Sequence, residues 1–178
     1  MKKKILPLSV FFIVLLTGNV KADLAFSGNL LDLPCKIDPS SETQEVVFYD
    51  TPVQQFLEQP GKSPVKRFSI KLISCRSYDI EKIVKLTFTG EEEPTEPGAL
   101  KVNGVNEGKL AIHFIDSDGS TPIKLNEQNN GGEGVTISSQ SIVMDFGAFV
   151  QATQKALLTR SVTPGDYGAI ATFKLVYQ

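Results

Sequence analysis

The chain has 178 residues, of which 41% are hydrophobic, 21% charged and 8% aromatic, a globular balance sized for one domain. That apolar content excludes a collagen-like or disordered chain. The formal net charge of −2 includes an N-terminal segment that reads as a removable leader.

Residues 1–22 are expected to be a secretory signal peptide. Lys2, Lys3 and Lys4 form a basic start, Ile5 to Leu16 is an apolar run of 12 residues, and Val20-Lys21-Ala22 offers a cleavage site. As a helix that run reaches only about 18 Å, short of the roughly 30 Å a membrane anchor must cross. Cleavage after Ala22 would remove four lysines and no acids, leaving 14 basic and 20 acidic residues and a charge of −6. An acidic exported domain speaks against nucleic acid or an anionic membrane as partner.

In the next segment Leu24, Phe26, Gly28 and Leu30 alternate on one side, with Asp23, Ala25, Ser27 and Asn29 on the other. This is either the first strand of the domain's own sheet or a strand that can be given to a neighbour. Extended, residues 23–34 would span roughly 40 Å, enough to cross a sandwich. Cys35 and Cys75 are the only cysteines, so export into an oxidising compartment predicts one disulfide between them. A metal site is the alternative, but two isolated thiols and the single His113 do not complete a tetrahedral shell.

From there the apolar runs are short, β-branched and separated by turn residues. Strands are predicted at Glu45–Tyr49, Phe68–Leu72, Ile83–Thr89 with Val84, Leu86 and Phe88 on one face, and Leu110–Ile115. Asp116-Ser117-Asp118-Gly119 reads as a hairpin turn. Further strands are predicted at Val135–Ile137 and Ile142–Val150, and Gln151–Leu158 could make a helical turn. The last strand carries Tyr167, Ala169, Ala171, Phe173, Leu175 and Tyr177 on one face, opposite Thr172, Lys174 and Gln178. Residues 59–64, 91–98 and 127–134 read as loops, and Glu91-Glu92-Glu93 as a solvated one. Seven or so short strands with one disulfide point to an immunoglobulin-like β-sandwich, although the pattern alone also fits a barrel.

No catalytic constellation emerges. His113 lies between Ile112 and Phe114 of an alternating strand and reads as a strand-face imidazole rather than a general base. No GxSxG, HExxH or phosphate-binding glycine loop occurs. Asp116-Ser117-Asp118-Gly119 lacks the later ligands of a calcium loop. The expectation is therefore no enzyme, no metal and no cofactor. At the C-terminus the alternating strand stops with the chain, so an open sheet edge would be a liability.

The sequence resembles the chaperone–usher pilus subunits, and among them the minor pilins. The likeness is densest at Gly28-Asn29-Leu30-Leu31-Asp32 with Pro34-Cys35, at Phe68–Cys75, at Lys82–Gly90, at Lys101–Ser120 and at Thr163–Gln178. The family's terminal signature, a glycine fourteenth from the end and a penultimate tyrosine, falls on Gly165 and Tyr177.

The resemblance implies an all-β, incomplete immunoglobulin-like pilin fold that lacks its last strand and is completed by donor-strand complementation. Residues 23–34 would be the N-terminal donor strand, acting through Leu24, Phe26, Gly28 and Leu30, and residues 35–178 the pilin domain. The acceptor edge would be one strand from Tyr167 to Tyr177 with Ala169, Ala171, Phe173 and Leu175, flanked by Gly165 and by Gln178, whose carboxylate would anchor in a chaperone's basic cleft. Implied partners are a periplasmic pilus chaperone, an outer-membrane usher and neighbouring tip-fibrillum and rod subunits. The implied role is a structural adaptor joining tip fibrillum to rod and supporting adhesion, in a fimbrium at the bacterial surface reached through the periplasm. Another minor or major pilin is the alternative within the class. A host-binding adhesin would need a receptor-binding domain where only 12 residues separate the leader from Cys35, and a periplasmic enzyme lacks its catalytic residues.

Overall fold

In the computed structural model, residues 33–178 are described. The expected leader and the expected donor-strand residues Leu24, Phe26, Gly28 and Leu30 lie outside them.

Eleven strands and three short helices follow in chain order: β1 (Lys36–Ile37), α1 (Pro39–Glu42), α2 (Val53–Phe56), β2 (Lys66–Ile73), β3 (Ile83–Gly90), β4 (Leu100–Lys101), β5 (Asn103–Gly104), β6 (Leu110–Ile115), β7 (Pro122–Ile123), β8 (Val135–Thr136), β9 (Ile142–Ala152), α3 (Gln154–Thr159), β10 (Tyr167–Gly168) and β11 (Ala171–Tyr177). All pairings are antiparallel. One sheet runs β1-β2-β9-β6-β4, with β7 also on β6; the second runs β11-β3-β8; β5 and β10 form a two-stranded ribbon.

Inward-facing apolar residues of both sheets explain how they meet. Ile70 and Leu72 of β2, Ile112 and Phe114 of β6, and Met144, Phe146 and Val150 of β9 are buried from one side. Val84, Leu86 and Phe88 of β3 are buried from the other. Phe88 is the bridge: its ring stacks on Phe114 at 4.5 Å and meets Phe146 at 5.2 Å and Phe68 at 5.9 Å. These contacts make the domain a sandwich, not a barrel. The disulfide forms between Cys35 and Cys75, fastening the chain ahead of β1 to the exit of β2.

Some elements depart from expectation. Residues 44–52 join no ladder, so the strand predicted at Glu45–Tyr49 does not form. Polar capping explains the unpredicted α1: Asp38 accepts from the Ser40 N–H at 3.0 Å and Pro39 suits the first helical turn. The helical turn expected after β9 is α3, capped by the Thr153 hydroxyl accepting from the Ala156 N–H. Glu93 is not solvated; it is 1% exposed, and its Oε1 accepts from the Thr95 N–H and hydroxyl at 3.3 and 2.8 Å, while its Oε2 is buried without a hydrogen bond among the described residues.

The loop at 126–134 docks sideways along β3. The Asn126 N–H donates to Phe88 O and the Asn129 N–H to Leu86 O, while Asn129 Oδ1 accepts from the Leu86 N–H at 2.8 Å. Asn129 is 1% exposed and acts as a piece of strand. With this loop and β8 on one side and β11 on the other, both edges of β3 are occupied. The outer edge of the second sheet therefore belongs to β11.

Candidate functional site: the edge of the last strand

Gln178 and Ile83 exchange both backbone hydrogen bonds at 2.9 Å, which fixes the phase of the β11–β3 ladder. In an antiparallel pair only alternate residues turn their N–H and C=O toward the partner. Thr172, Lys174, Val176 and Gln178 therefore face β3, and Phe173, Leu175 and Tyr177 point their backbone groups outward. Among the described residues nothing takes those outward groups.

The same alternation turns the Phe173, Leu175 and Tyr177 side chains toward the core, where they are only partly buried and pack on its rim. Thr172 and Lys174 face solvent, and the Thr172 hydroxyl meets that of Thr89 at 2.6 Å. An open backbone edge above a half-covered apolar row is what a further strand needs: a ladder to join and side-chain positions to fill. Burial raises the phenol pKa of both Tyr177 and Tyr167, so each ring stays neutral.

Ile37, Phe48 and Val53 pack on the same core, and the Phe48 ring lies 6.2 Å from Tyr167. At that end a pocket of about 180 Å³ opens, lined by Val53, Phe56, Asn106, Leu110, Val162 and Tyr167 among others.

The expected acceptor edge is not one strand. Tyr167 and Gly168 form β10 on Asn103–Gly104, and the ladder with β3 begins only at Ala171, opposite the last residue of β3, Gly90. Ala169 is partly buried and Ile170 exposed in the break between them. Gly165 sits ahead of β10 with φ +146°, where a Cβ would come within 2.4 Å of Val105. Gln178 is exposed at the far end, next to Tyr177. Sequence reasoning missed Asn106 and Val105, which meet the 162–168 segment from a turn with no periodic signal.

The remaining polar residues are structural in their geometry. His113 stacks on Phe149 at 5.2 Å, and burial lowers its pKa against a weaker opposing pull from Glu96. Asp116 accepts from the Ser117 N–H at 2.7 Å and the Asn130 N–H at 2.5 Å. Asp118 is held well below the usual carboxylate range, first by the Thr121 hydroxyl and then by Ser120 and backbone N–H groups. Asp79, fully buried, is held low by Lys82 and then Arg76, each at 2.5 Å. Among the described residues no three metal-binding side chains cluster, and no helix is long and apolar enough to cross a membrane.

The sequence and the fold are similar to those of known proteins. The chain is 45% identical over 170 residues to the fimbrial adapter PapK of Escherichia coli, covering 95% of this chain and 96% of that protein. It is 46% identical to protein PrsK of Escherichia coli, with the same coverage. Among solved structures, the P pilus rod subunit PapA superposes with a TM-score of 0.68 at 25% identity, covering 82% of this chain and 100% of that one. A subunit from the structure of a chaperone–usher pilus superposes at 0.67 with 24% identity, over 90% of this chain and 98% of that one. The fimbrial protein family model matches residues 24–178. The chain belongs to the fimbrial protein family and is a structural pilus subunit, not an enzyme.

Proposed function

We propose that this chain is the adaptor subunit of a chaperone–usher pilus, joined to its neighbours by strands donated along β11. The observation that carries the reading is the outward row of β11 backbone groups above the half-buried Phe173, Leu175 and Tyr177. A periplasmic chaperone lends the first strand, with the Gln178 carboxylate in its basic cleft. At the outer-membrane usher a neighbouring subunit's strand replaces it. Residues 23–34 are given in turn to the next subunit, with Leu24, Phe26 and Leu30 filling its groove and Gly28 passing where that groove is shallow. The leader at 1–22 takes the chain to the periplasm, and the assembled fimbrium stands on the cell surface.

The energetics favour a tight join. Each ladder hydrogen bond contributes about 1 kcal/mol, and each apolar side chain buried about 1.5–3 kcal/mol. An antiparallel donated strand would bring its last apolar residue to the pocket beside Tyr167. The adaptor assignment rests on the likeness to the fimbrial adapter PapK; a rod or other minor pilin would share the groove but accept different strands.

The test is exchange. The chaperone-bound subunit is mixed with synthetic peptides copying the N-termini of the pilus subunits, and chaperone release is followed by native mass. Displacement by a tip-fibrillum peptide, with the 23–34 peptide of this chain displacing chaperone from a rod-side subunit, supports the adaptor reading. Displacement by rod peptides alone would reassign the chain to the rod, and no displacement by any peptide would remove the groove.

A further inference from the structure

We propose that Asn106 is a positioning residue for strand acceptance: its carboxamide holds the outer wall of the pocket beside Tyr167 and so decides how well that pocket grips a donated side chain. This rests on the groove reading above and adds a residue that periodicity does not mark.

Asn106 is 2% exposed and lies in the turn between β5 and β6. Its Nδ2 donates to Thr163 O at 2.8 Å, and its Oδ1 accepts from the Thr163 N–H at 3.0 Å. One side chain thus pairs both backbone groups of a residue 57 positions away, as a neighbouring strand would. The Thr163–Asp166 stretch belongs to no helix or strand. It is fixed at two points, by Asn106 at Thr163 and by the β5–β10 ladder at Tyr167 and Gly168. The ladder approach is close: Gly104 has φ +107°, and a Cβ there would lie 2.6 Å from Asp166 O.

Between those two points the stretch forms the pocket's outer wall, with Asn106, Thr163 and Tyr167 all lining it. Without the carboxamide, the Thr163 N–H and C=O lose their partner, and the stretch is held only at its two ends, by the buried Val162 and by the β10 ladder. The wall is then free to shift, and the pocket loses its fixed shape. The rest of the β11 edge, which pairs with β3, is untouched by that change.

The experiment uses chaperone complexes of the full chain carrying wild-type sequence, Asn106→Ala or Asn106→Asp. Asn106→Asp keeps the acceptor for the Thr163 N–H but sets a carboxylate against the Thr163 carbonyl. Each complex is challenged with the peptide that exchanges fastest in the panel above, and with the same peptide bearing glycine at its last apolar position. Filling the pocket should make the wild type prefer the first peptide by about tenfold or more, the worth of one buried aliphatic side chain. Both variants should lose most of that preference while exchanging the glycine peptide at a near wild-type rate. An equal change for both peptides, or an unaltered preference, would overturn the role of Asn106. A wild type that exchanges but shows no preference would remove the pocket and leave the groove standing. Should neither variant yield a complex, amide exchange at Thr163 in the wild type decides: protection comparable to Lys174 and Val176 is expected, and free exchange would contradict the clasp.

Discussion

Replacing Phe88 by alanine removes the side chain through which β3 meets the opposite sheet. The ring is 3% exposed and touches Phe68, Phe114 and Phe146 at centroid distances of 4.5 to 5.9 Å. A buried Phe→Ala change costs about 3–5 kcal/mol, and aromatic pairs add about 0.5–1.5 kcal/mol beyond area, so the upper half of that range is expected. For a domain of this size that corresponds to a fall in Tm of roughly 10–20 °C. The control is Thr87→Ala, one residue earlier and opposite Lys174 on the solvent face, expected within about 0.5 kcal/mol of wild type. Guanidinium unfolding of the peptide-complemented subunit gives both values. Because Phe88 pairs across the ladder with Phe173, the variant should also release its bound peptide faster. A loss below about 1.5 kcal/mol would mean that the four rings do not form the joint between the sheets, and the packing argument would fail.

Other predictions follow from the edge and its supports. Gly28→Arg should block incorporation between neighbours while the chaperone complex still forms; normal pili in that variant would remove the donor-strand assignment. Gly165→Thr with Tyr177→Ala forces a side chain against Val105 and strips the last groove contact, so periplasmic yield should drop, and an unchanged yield would count against the groove. Replacing Cys35 and Cys75 with serine frees a loop of 40 residues and should cost about 4 kcal/mol by chain entropy, read from denaturant unfolding. The carboxylates of Asp38, Asp79 and Asp118 are held low, chiefly by the Ser40 hydroxyl, Lys82 and the Thr121 hydroxyl. The unfolded chain therefore takes up these protons first, so their contribution is complete above about pH 4 and declines as pH falls through their lower folded values. Asp118→Asn should flatten that acid limb; an identical pH curve would show that the turn's hydrogen bonds carry no such linkage.

The legible part of this fold was the part built on alternation. Val84, Leu86 and Phe88 announce a strand because every second residue faces the core, the nearly continuous apolar run Leu110–Ile115 announces one buried on both faces, and both strands stand where expected. Glu45–Tyr49 has the same composition, yet backbone pairing and not side-chain type makes a strand, and residues 44–52 find no ladder. The break between β10 and β11 was hidden for the same reason: alternation runs unbroken from Tyr167 to Tyr177, while β3 ends opposite Ala171. Side chains that stand in for backbone left no pattern at all. Asn129 on Leu86 and Asn106 on Thr163 are single polar residues in glycine-rich turns, and only three-dimensional placement shows their partners. Glu93 was misread because charge alone suggests solvent, whereas it is buried with Thr95 donating twice to its Oε1.

The site divides in a similar way. The residues of the edge were readable as an apolar row at the end of the chain. Which of their backbone groups face outward was not, because that depends on the phase set by Gln178 and Ile83.

Whether this sandwich needs a strand from another chain is read from periplasmic expression with and without the cognate chaperone, followed by native mass of the purified product. A stable one-to-one complex with chaperone is expected, with loss or aggregation of the subunit without it. A soluble, heat-stable monomer formed in the chaperone's absence would mean that the β11 edge is closed within the chain itself and that no donated strand is needed.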